Sequence, residues 1–155
     1  MDTSFNASPS LLPRLNFFAS GPDAMRAMGT LDQRVAHSDL EKSLVELVKL
    51  RISQINGCAF CLDRHTIDAR SAGESERRLA TLPAWRDTPF FSSREQAALA
   101  WSEALTRIAE DHVSDALWDR VQSEFTPTEL VDLTLAINAI NGWNRFAIAF
   151  RKLPT

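Results

Sequence analysis

Cysteine is scarce in this sequence, because only Cys58 and Cys61 occur among its 155 residues. That scarcity excludes a scaffold held by several disulfides, and a chain of this length buries enough surface to fold without them. Long apolar runs are also missing, since no uninterrupted run in the sequence reaches the ~20 residues that a membrane-spanning helix requires. We therefore expect one globular protein that is not a membrane protein.

Positive charge is not in excess. The chain has 17 Lys and Arg residues against 20 Asp and Glu residues, and its formal net charge is −3. No basic surface field is expected, so nucleic acid is not an expected partner. The amino terminus lacks the basic and apolar segments of a secretory signal. We expect a cytoplasmic protein, and in that reducing compartment a C-x-x-C pair is more often catalytic or metal-binding than structural.

Sustained alternation of apolar and polar residues is absent as well, and this absence predicts an all-α fold. Prolines break residues 1–20, which we interpret as an N-terminal arm ahead of one all-helical domain over residues 21–155. The arm holds five large apolar side chains, namely those of Leu11, Leu12, Leu15, Phe17 and Phe18. We expect it to pack on the body of the protein or on a neighbouring subunit.

Capping and turn signals divide the domain into helices. Helices are predicted over residues 22–37, 38–55, 58–72 and 74–82, with further starts at Ser92, Ser114 and Thr126. The second of these helices begins at a capping box, Ser38-Asp-Leu-Glu41, and ends at Asn56-Gly57. Gly73 is placed to stop the third.

The last long helix is apolar on most sides over residues 130–140. Such a helix lies either at the centre of a core or in a subunit interface. Asn141-Gly142 is predicted to interrupt it before a final helix over residues 143–153.

The two cysteines and a histidine share one segment, with the pattern C-x-x-C-x-x-x-H. On a helix, Cys58, Cys61 and His65 lie on one face, and His65 is one turn beyond Cys61. Free N–H groups at the helix start favour a thiolate on Cys58, whereas the imidazole favours one on Cys61. Either thiolate can attack a peroxide to give a sulfenic acid, which condenses with the other thiol to a disulfide. An external dithiol must then reopen that disulfide by exchange.

Two other interpretations of these side chains remain open. Cys58, Cys61 and His65 could supply three zinc ligands with water as the fourth, although the lack of a second C-x-x-C argues against a closed structural zinc site. The cysteines could also be buried structural thiols.

Glu46 precedes Cys58 by twelve residues and lies on the preceding predicted helix. If the turn makes the two helices antiparallel, its carboxylate faces the thiols and acts as a proton acceptor, directly or through a water. The alternative is a solvated salt-bridge stripe with Lys42 and Lys49 on its own helix.

This segment resembles the alkylhydroperoxidase D / carboxymuconolactone decarboxylase family. The resemblance is carried by Glu46-Leu-Val-Lys-Leu-Arg51, Gln54-Ile-Asn-Gly-Cys58-Ala-Phe-Cys61, Leu62-Asp-Arg-His65 and Asp68-Ala-Arg70, with a second match at Asn141-Gly-Trp-Asn-Arg145 and Ala147-Ile-Ala-Phe150. It covers about residues 17–151. It implies an alkylhydroperoxidase D-like helical bundle that assembles as a homotrimer or homohexamer, and no cofactor is expected.

The resemblance also implies a role for each residue. It makes Cys61 the cysteine that attacks the peroxide, Cys58 the resolving cysteine, His65 the base beside Cys61, and Glu46 the distal proton acceptor. The expected activity is that of a peroxiredoxin-type hydroperoxide reductase, regenerated by an external protein or lipoyl-type dithiol. The alternative is a non-enzymatic oligomer that senses redox state or binds a metal.

Phe60 departs from the family pattern, because the founding enzymes resemble C-x-H-C, with histidine at this position. A proton relay that needs both histidines is therefore incomplete here. Lactone decarboxylation is not expected, because the lactone decarboxylases of the family lack the cysteine pair.

Overall fold

The computed structural model describes residues 11–155, except for the side chain of Asp111. Over these residues the chain forms nine α-helices and one 3-10 helix and has no strand, which confirms the predicted all-α class. The elements are α1 (Phe17–Ser20), α2 (Pro22–Ala36), α3 (Lys42–Asn56), α4 (Ala59–Ser71), α5 (Glu76–Thr81), the 3-10 helix (Leu82–Asp87), α6 (Ser93–Thr106), α7 (Ile108–Asp111), α8 (Asp115–Glu124) and α9 (Pro127–Ala149).

The described part of the predicted arm follows the surface beside the end of α9. The backbone N–H of Arg14 donates to Phe150 O at 3.0 Å, and its guanidinium donates to Ala149 O at 3.0 Å. Phe17 is buried, whereas Leu11 and Leu12 are exposed. Pro9 and the other residues up to position 10 lie outside the described range, and the division into an arm and a domain stays a prediction.

Three of the predicted helix starts are confirmed by their capping bonds. The hydroxyls of Ser92, Ser114 and Thr126 each accept the backbone N–H of the residue three positions on. At Ser92 and Thr126 the glutamate of the capping box also accepts the N–H of the cap residue. These starts could be predicted from sequence because an N-cap bond is a local interaction.

The predicted capping box at Ser38 is wrong. The Ser38 hydroxyl donates instead to Val35 O at 2.6 Å, at the end of α2, and α3 begins at Lys42 without a side-chain cap. The glutamate of the predicted box, Glu41, pairs with Arg94, its Oε1 accepting from Arg94 Nε at 2.9 Å. The intervening Leu40 is buried in the core, so tertiary packing of this connection overrides the local signal.

The predicted break at Asn141-Gly142 is also wrong, because α9 runs without interruption through it. The Asn141 side chain donates to Ile137 O one turn earlier and to the Thr106 hydroxyl, both at 3.0 Å. At Gly142 an added Cβ would lie 2.9 Å from the terminal methyl of Met28. The glycine therefore permits close packing of α2 on α9 and does not make a turn.

Helix α3 lies at the centre of the fold and packs on α4, α6 and α9. One side, with Val48 and Ile52, belongs to a core cluster that includes Ile137 of α9. Another side, with Leu47, joins a cluster that includes Leu99 of α6. Within residues 11–155, no helix is both long enough and apolar enough to cross a membrane.

A buried carboxylate ties three elements together on the α6 side of α3. Glu103 of α6 accepts a bond from Arg51 Nε of α3 at 2.8 Å and from Trp85 Nε1 of the 3-10 helix at 3.0 Å, and it also accepts from Arg86. Burial acts to raise the pKa of Glu103, but these donors outweigh it and hold that pKa below its ordinary value.

Candidate active site

The turn between α3 and α4 brings the predicted site residues together. Gly57 has φ +68°, a left-handed conformation that favours glycine, and Cys58 follows as the N-cap of α4. Glu46 lies on the helix before this turn and His65 on the helix after it, and their side chains meet. Helix α4 therefore runs back along α3, which is the antiparallel arrangement that a role for Glu46 requires.

The two cysteines form a closely linked pair at the start of α4. Their sulfur atoms lie at disulfide distance, with the Cα atoms 5.3 Å apart. The N–H of Cys61 donates to Cys58 Sγ at 3.3 Å, so the sulfur occupies the place of an N-cap oxygen. Cys58 is 1% exposed and Cys61 is 3% exposed. Both are thus shielded from bulk solvent.

His65 is held by the carboxylate of Glu46. Its Nδ1 lies 2.9 Å from Glu46 Oε2, and both side chains are largely buried. When the carboxylate is ionised, Nδ1 carries the proton and donates a hydrogen bond to the carboxylate. Nε2 is then the nitrogen that can accept a proton. A histidine in that state can take a proton from a thiol.

Glu46 does not belong to a solvated stripe. Its side chain is only 9% exposed, and its Oε1 lies 3.8 Å from Nζ of Lys49, which is itself 14% exposed. Lys42 is exposed at the start of α3 and takes no part in this contact. The pairing with Lys49 is real, but it lies inside the site and not on a solvated face.

A cleft of about 410 Å³ opens beside the pair. It is lined by Cys61 and His65, by aromatic side chains of α1, α4 and α9, and by charged groups. The aromatic residues are Phe17, Phe18, Phe60 and Trp143, and the charged residues are Asp32, Lys49, Arg64, Asp68 and Lys152. Cys58 is not among the lining residues, so Cys61 is the member of the pair that lines the cleft.

The donor atoms near the cleft do not favour a metal ion. In the described part of the chain, Glu46, His65 and Asp68 bring one ligand atom each within 4.8 Å of one another. Protein cations already partner both carboxylates, Lys49 at Glu46 and Arg64 at Asp68, the latter at 2.8 Å. The zinc set considered from sequence would need Cys58 and Cys61 as two free thiolates, whereas in this structure their sulfurs lie at disulfide distance.

All four predicted site residues therefore meet at one place, and their chemical roles stay predictions. Sequence reasoning missed three residues with polar groups at the cleft, which are Asp32, Trp143 and Lys152. The indole N–H of Trp143 donates to Asp32 Oδ2 at 2.7 Å. They come from α2, α9 and the C-terminal segment. No local motif marks them, because only the packing of distant segments brings them to the cleft.

Comparison with known proteins connects this geometry to a family. A model described as the carboxymuconolactone decarboxylase family matches residues 22–104, a span that contains all four site residues. The uncharacterised protein YdfG of Bacillus subtilis is 43% identical over 136 residues, which are 88% of this chain and 92% of YdfG. The uncharacterised protein YnjA of Escherichia coli is 32% identical over 119 residues, which are 77% of this chain and 64% of YnjA.

A solved structure is similar over nearly its whole length. It is a crystal structure of a protein of unknown function from Agrobacterium tumefaciens, described as a candidate antioxidant defence protein AhpD. The two share 39% sequence identity and a TM-score of 0.90, with 93% of this chain and 99% of that chain covered. From the family match and these similarities, this chain belongs to the carboxymuconolactone decarboxylase family, with an AhpD-like fold.

Proposed function

We propose that this protein is a thiol-dependent hydroperoxide reductase that cycles Cys58 and Cys61 between dithiol and disulfide. The observation that carries the proposal is the position of Cys61, which lines a cleft together with a histidine held by a buried carboxylate. The description of the Agrobacterium relative as a candidate antioxidant defence protein points the same way.

The reaction balances with the groups at hand. His65 accepts the proton of the Cys61 thiol, and the thiolate attacks one peroxide oxygen. The O–O bond breaks, the leaving alkoxide takes up the proton, and Cys61 becomes a sulfenic acid. The Cys58 thiol then attacks that sulfur, so that water leaves and the disulfide forms. An external dithiol supplies two electrons and two protons to reopen it.

Accessibility supports this division of roles. Cys61 lines the cleft and lies one helical turn from His65, whereas Cys58 lies outside the cleft as the N-cap residue. The N–H bond from Cys61 to Cys58 Sγ keeps the second sulfur close enough to resolve a sulfenic acid. Phe60 takes the place of a second relay histidine and lies under the Lys152 ammonium, 4.6 Å from ring centre to Nζ. The relay in this chain therefore consists of His65 and Glu46.

The cleft also favours a slender reductant. A space of about 410 Å³ with aromatic walls accommodates a small or lipoyl-type dithiol. A dithiol fixed on a flat protein face would have to reach Cys61 past those walls. The proposed cell compartment is the cytoplasm, because an intracellular dithiol pool is needed to return the enzyme to its reduced form.

We also propose that the protein is a homotrimer or homohexamer. A groove of about 660 Å³ between α6, α8 and α9 is lined mainly by apolar side chains, with Gln122, Thr134 and Asn138 as its polar members. At its margin Trp118 is 45% exposed and Val131 is 69% exposed. Large apolar side chains grouped in this way are typical of a protein interface.

The test is peroxide consumption by the reduced protein with a dithiol regenerant, for wild type, Cys58→Ser and Cys61→Ser. Wild type should turn over, and Cys61→Ser should not consume peroxide. Cys58→Ser should consume one equivalent and keep a sulfenic acid on Cys61 that a specific probe traps for mass spectrometry. Label on Cys58 in the Cys61→Ser protein would reverse the roles. Oxidation without turnover by any dithiol would favour the redox sensor over the enzyme.

A further inference from the structure

Lys49 lies between two acidic side chains at the inner side of the cleft. Its Nζ is 3.8 Å from Glu46 Oε1, one turn earlier on α3, and 4.0 Å from Asp32 Oδ1 on α2. Asp32 is fixed in turn, because the indole N–H of Trp143 donates to its Oδ2 at 2.7 Å. The ammonium therefore connects α2, α3 and α9 at the place where the site is built.

The two oxygens of Glu46 have different partners. Oε2 faces the ring of His65, and Oε1 faces Lys49. A buried carboxylate without a neighbouring cation is driven towards its neutral form by desolvation. An ionised carboxylate accepts a hydrogen bond from the Nδ1–H of His65, which leaves Nε2 unprotonated and able to accept a proton. A neutral carboxyl does not enforce this tautomer.

We propose that Lys49 is a positioning residue of this site: it keeps the Glu46 carboxylate ionised and oriented, and thereby sets the tautomer of His65 and the reactivity of Cys61. This inference rests on the proposed function. Lys49 needs no contact with the peroxide to act in this way. As a cation lining the same cleft as Cys61, it also favours the thiolate directly.

Other charged groups also face this network of Lys49, Glu46 and His65. They are the same in all the variants compared below. On α4, Arg64 pairs with Asp68, whose Oδ2 lies 4.0 Å from His65 Nδ1. From the C-terminal segment, the Lys152 ammonium lies over the Phe60 ring. None of these residues is altered when Lys49 is changed, so a difference between variants reports on Lys49 alone.

The experiment measures the rate at which iodoacetamide alkylates Cys61, across about pH 5 to 10, in the reduced Cys58→Ser protein. Lys49→Met removes the charge and keeps most of the aliphatic stem, Lys49→Gln is a second neutral variant, and Lys49→Arg restores the charge. Lys42→Met is the matched control, because Lys42 is an exposed lysine of the same helix.

Both neutral variants should move the midpoint of the pH profile upward by about half a unit or more, since a neighbouring cation favours the thiolate. Lys49→Arg should retain most of the wild-type midpoint, and Lys42→Met should superimpose on wild type. A uniform rate change without a midpoint shift, or equal shifts for the arginine and neutral variants, would overturn the proposal. Alkylation requires no peroxide turnover, so this result is readable even if the proposed peroxidase activity fails.

Discussion

At position 46 a carboxylate is withdrawn from water, with a lysine on one oxygen and a histidine on the other. The role of the Glu46 charge can be tested by substitution with glutamine, which has nearly the same shape as glutamate. A glutamine keeps an oxygen that can accept the His65 bond, and it replaces the oxygen facing Lys49 by an NH2 group and removes the charge. Stability and chemistry can therefore be separated at this one side chain.

Glu46→Gln is expected to slow disulfide formation from the reduced protein and to leave the melting temperature nearly unchanged. General base assistance is worth about 10²–10⁴-fold, and a group one step from the thiol should fall near the low end of that range. The measurement is the rate after peroxide addition across about pH 5 to 9, with Glu76→Gln on the surface as the control. Superimposable profiles would remove Glu46 from the site.

That Glu46, Cys58, Cys61 and His65 lie close together could be predicted from sequence, because three of them belong to α4 or its N-cap and Glu46 lies on the helix just before it. Lys49 was visible only as a neighbour of Glu46, and spacing could not distinguish a solvated pair from a buried one. Asp32, Trp143 and Lys152 could not be found, because their place in the cleft depends on how α2 and α9 pack.

At the scale of helices, two glycines in Asn-Gly dipeptides behave differently. Gly57 ends α3 in a left-handed conformation with φ +68°, whereas Gly142 lies inside α9 against Met28. The sequence signal is the same at both positions, so it predicts a turn at each. Only the packing of α2 on α9, which is not encoded locally, explains why the second remains helical.

Gly57→Ala should therefore destabilise the protein by about 1–2 kcal/mol, the cost of a left-handed conformation for a residue with a Cβ. Gly142→Ala should stay within about 1 kcal/mol of wild type, because gained helix propensity offsets the displacement of one flexible methyl group. Urea unfolding of both variants measures the difference. Equal destabilisation would contradict the assignment of the two glycines.

Glu103 gives a second prediction at this scale, because it joins α3, α6 and the 3-10 helix. Its pKa in the folded protein lies below the ordinary value of 4.5. Because the folded-state pKa is lowered, ionised Glu103 stabilises the folded protein fully at pH values above its unfolded-state pKa. This contribution is lost as the pH falls through the folded-state pKa. The relevant window therefore lies below about pH 4.5.

Glu103→Gln should cost about 3 kcal/mol of unfolding free energy near neutral pH, because it leaves the largely buried Arg51 cation without its anionic partner. The difference from wild type should narrow in acid, as the wild-type carboxylate takes up its proton. Chemical denaturation at several pH values measures this, with Glu110→Gln on the exposed side of α7 as the control. A difference that is constant with pH would show that the charge does not matter.

For the whole molecule, the all-α class followed from the lack of alternating patterns, and the starts of α6, α8 and α9 followed from capping residues. The connection before α3 did not, because burial of Leu40 and the bond from Ser38 to Val35 O overrode a local signal. The proposed self-association could not be predicted from the residues beyond the apolar character of positions 130–140, since buried and exposed apolar positions look alike in sequence. Within residues 130–140, for example, Ile137 is buried and Val131 is exposed.

Val131→Glu is expected to weaken self-association, because it places a charge at the margin of the apolar groove between α6, α8 and α9. Light scattering of wild type at micromolar concentration should give three or six times the chain mass, and the variant should give less. Ile108→Glu, at an exposed isoleucine outside that groove, is the control. A monomeric wild type would contradict the proposed oligomer.

Counting thiols shows whether Cys58 and Cys61 cycle through a disulfide on reaction with peroxide. The fully reduced protein is treated with one equivalent of a hydroperoxide, and free thiols are titrated before and after. We expect a fall from two thiols to none, an intramolecular Cys58–Cys61 disulfide by mass spectrometry, and recovery of both thiols with a small dithiol. Two free thiols that survive stoichiometric peroxide would contradict it.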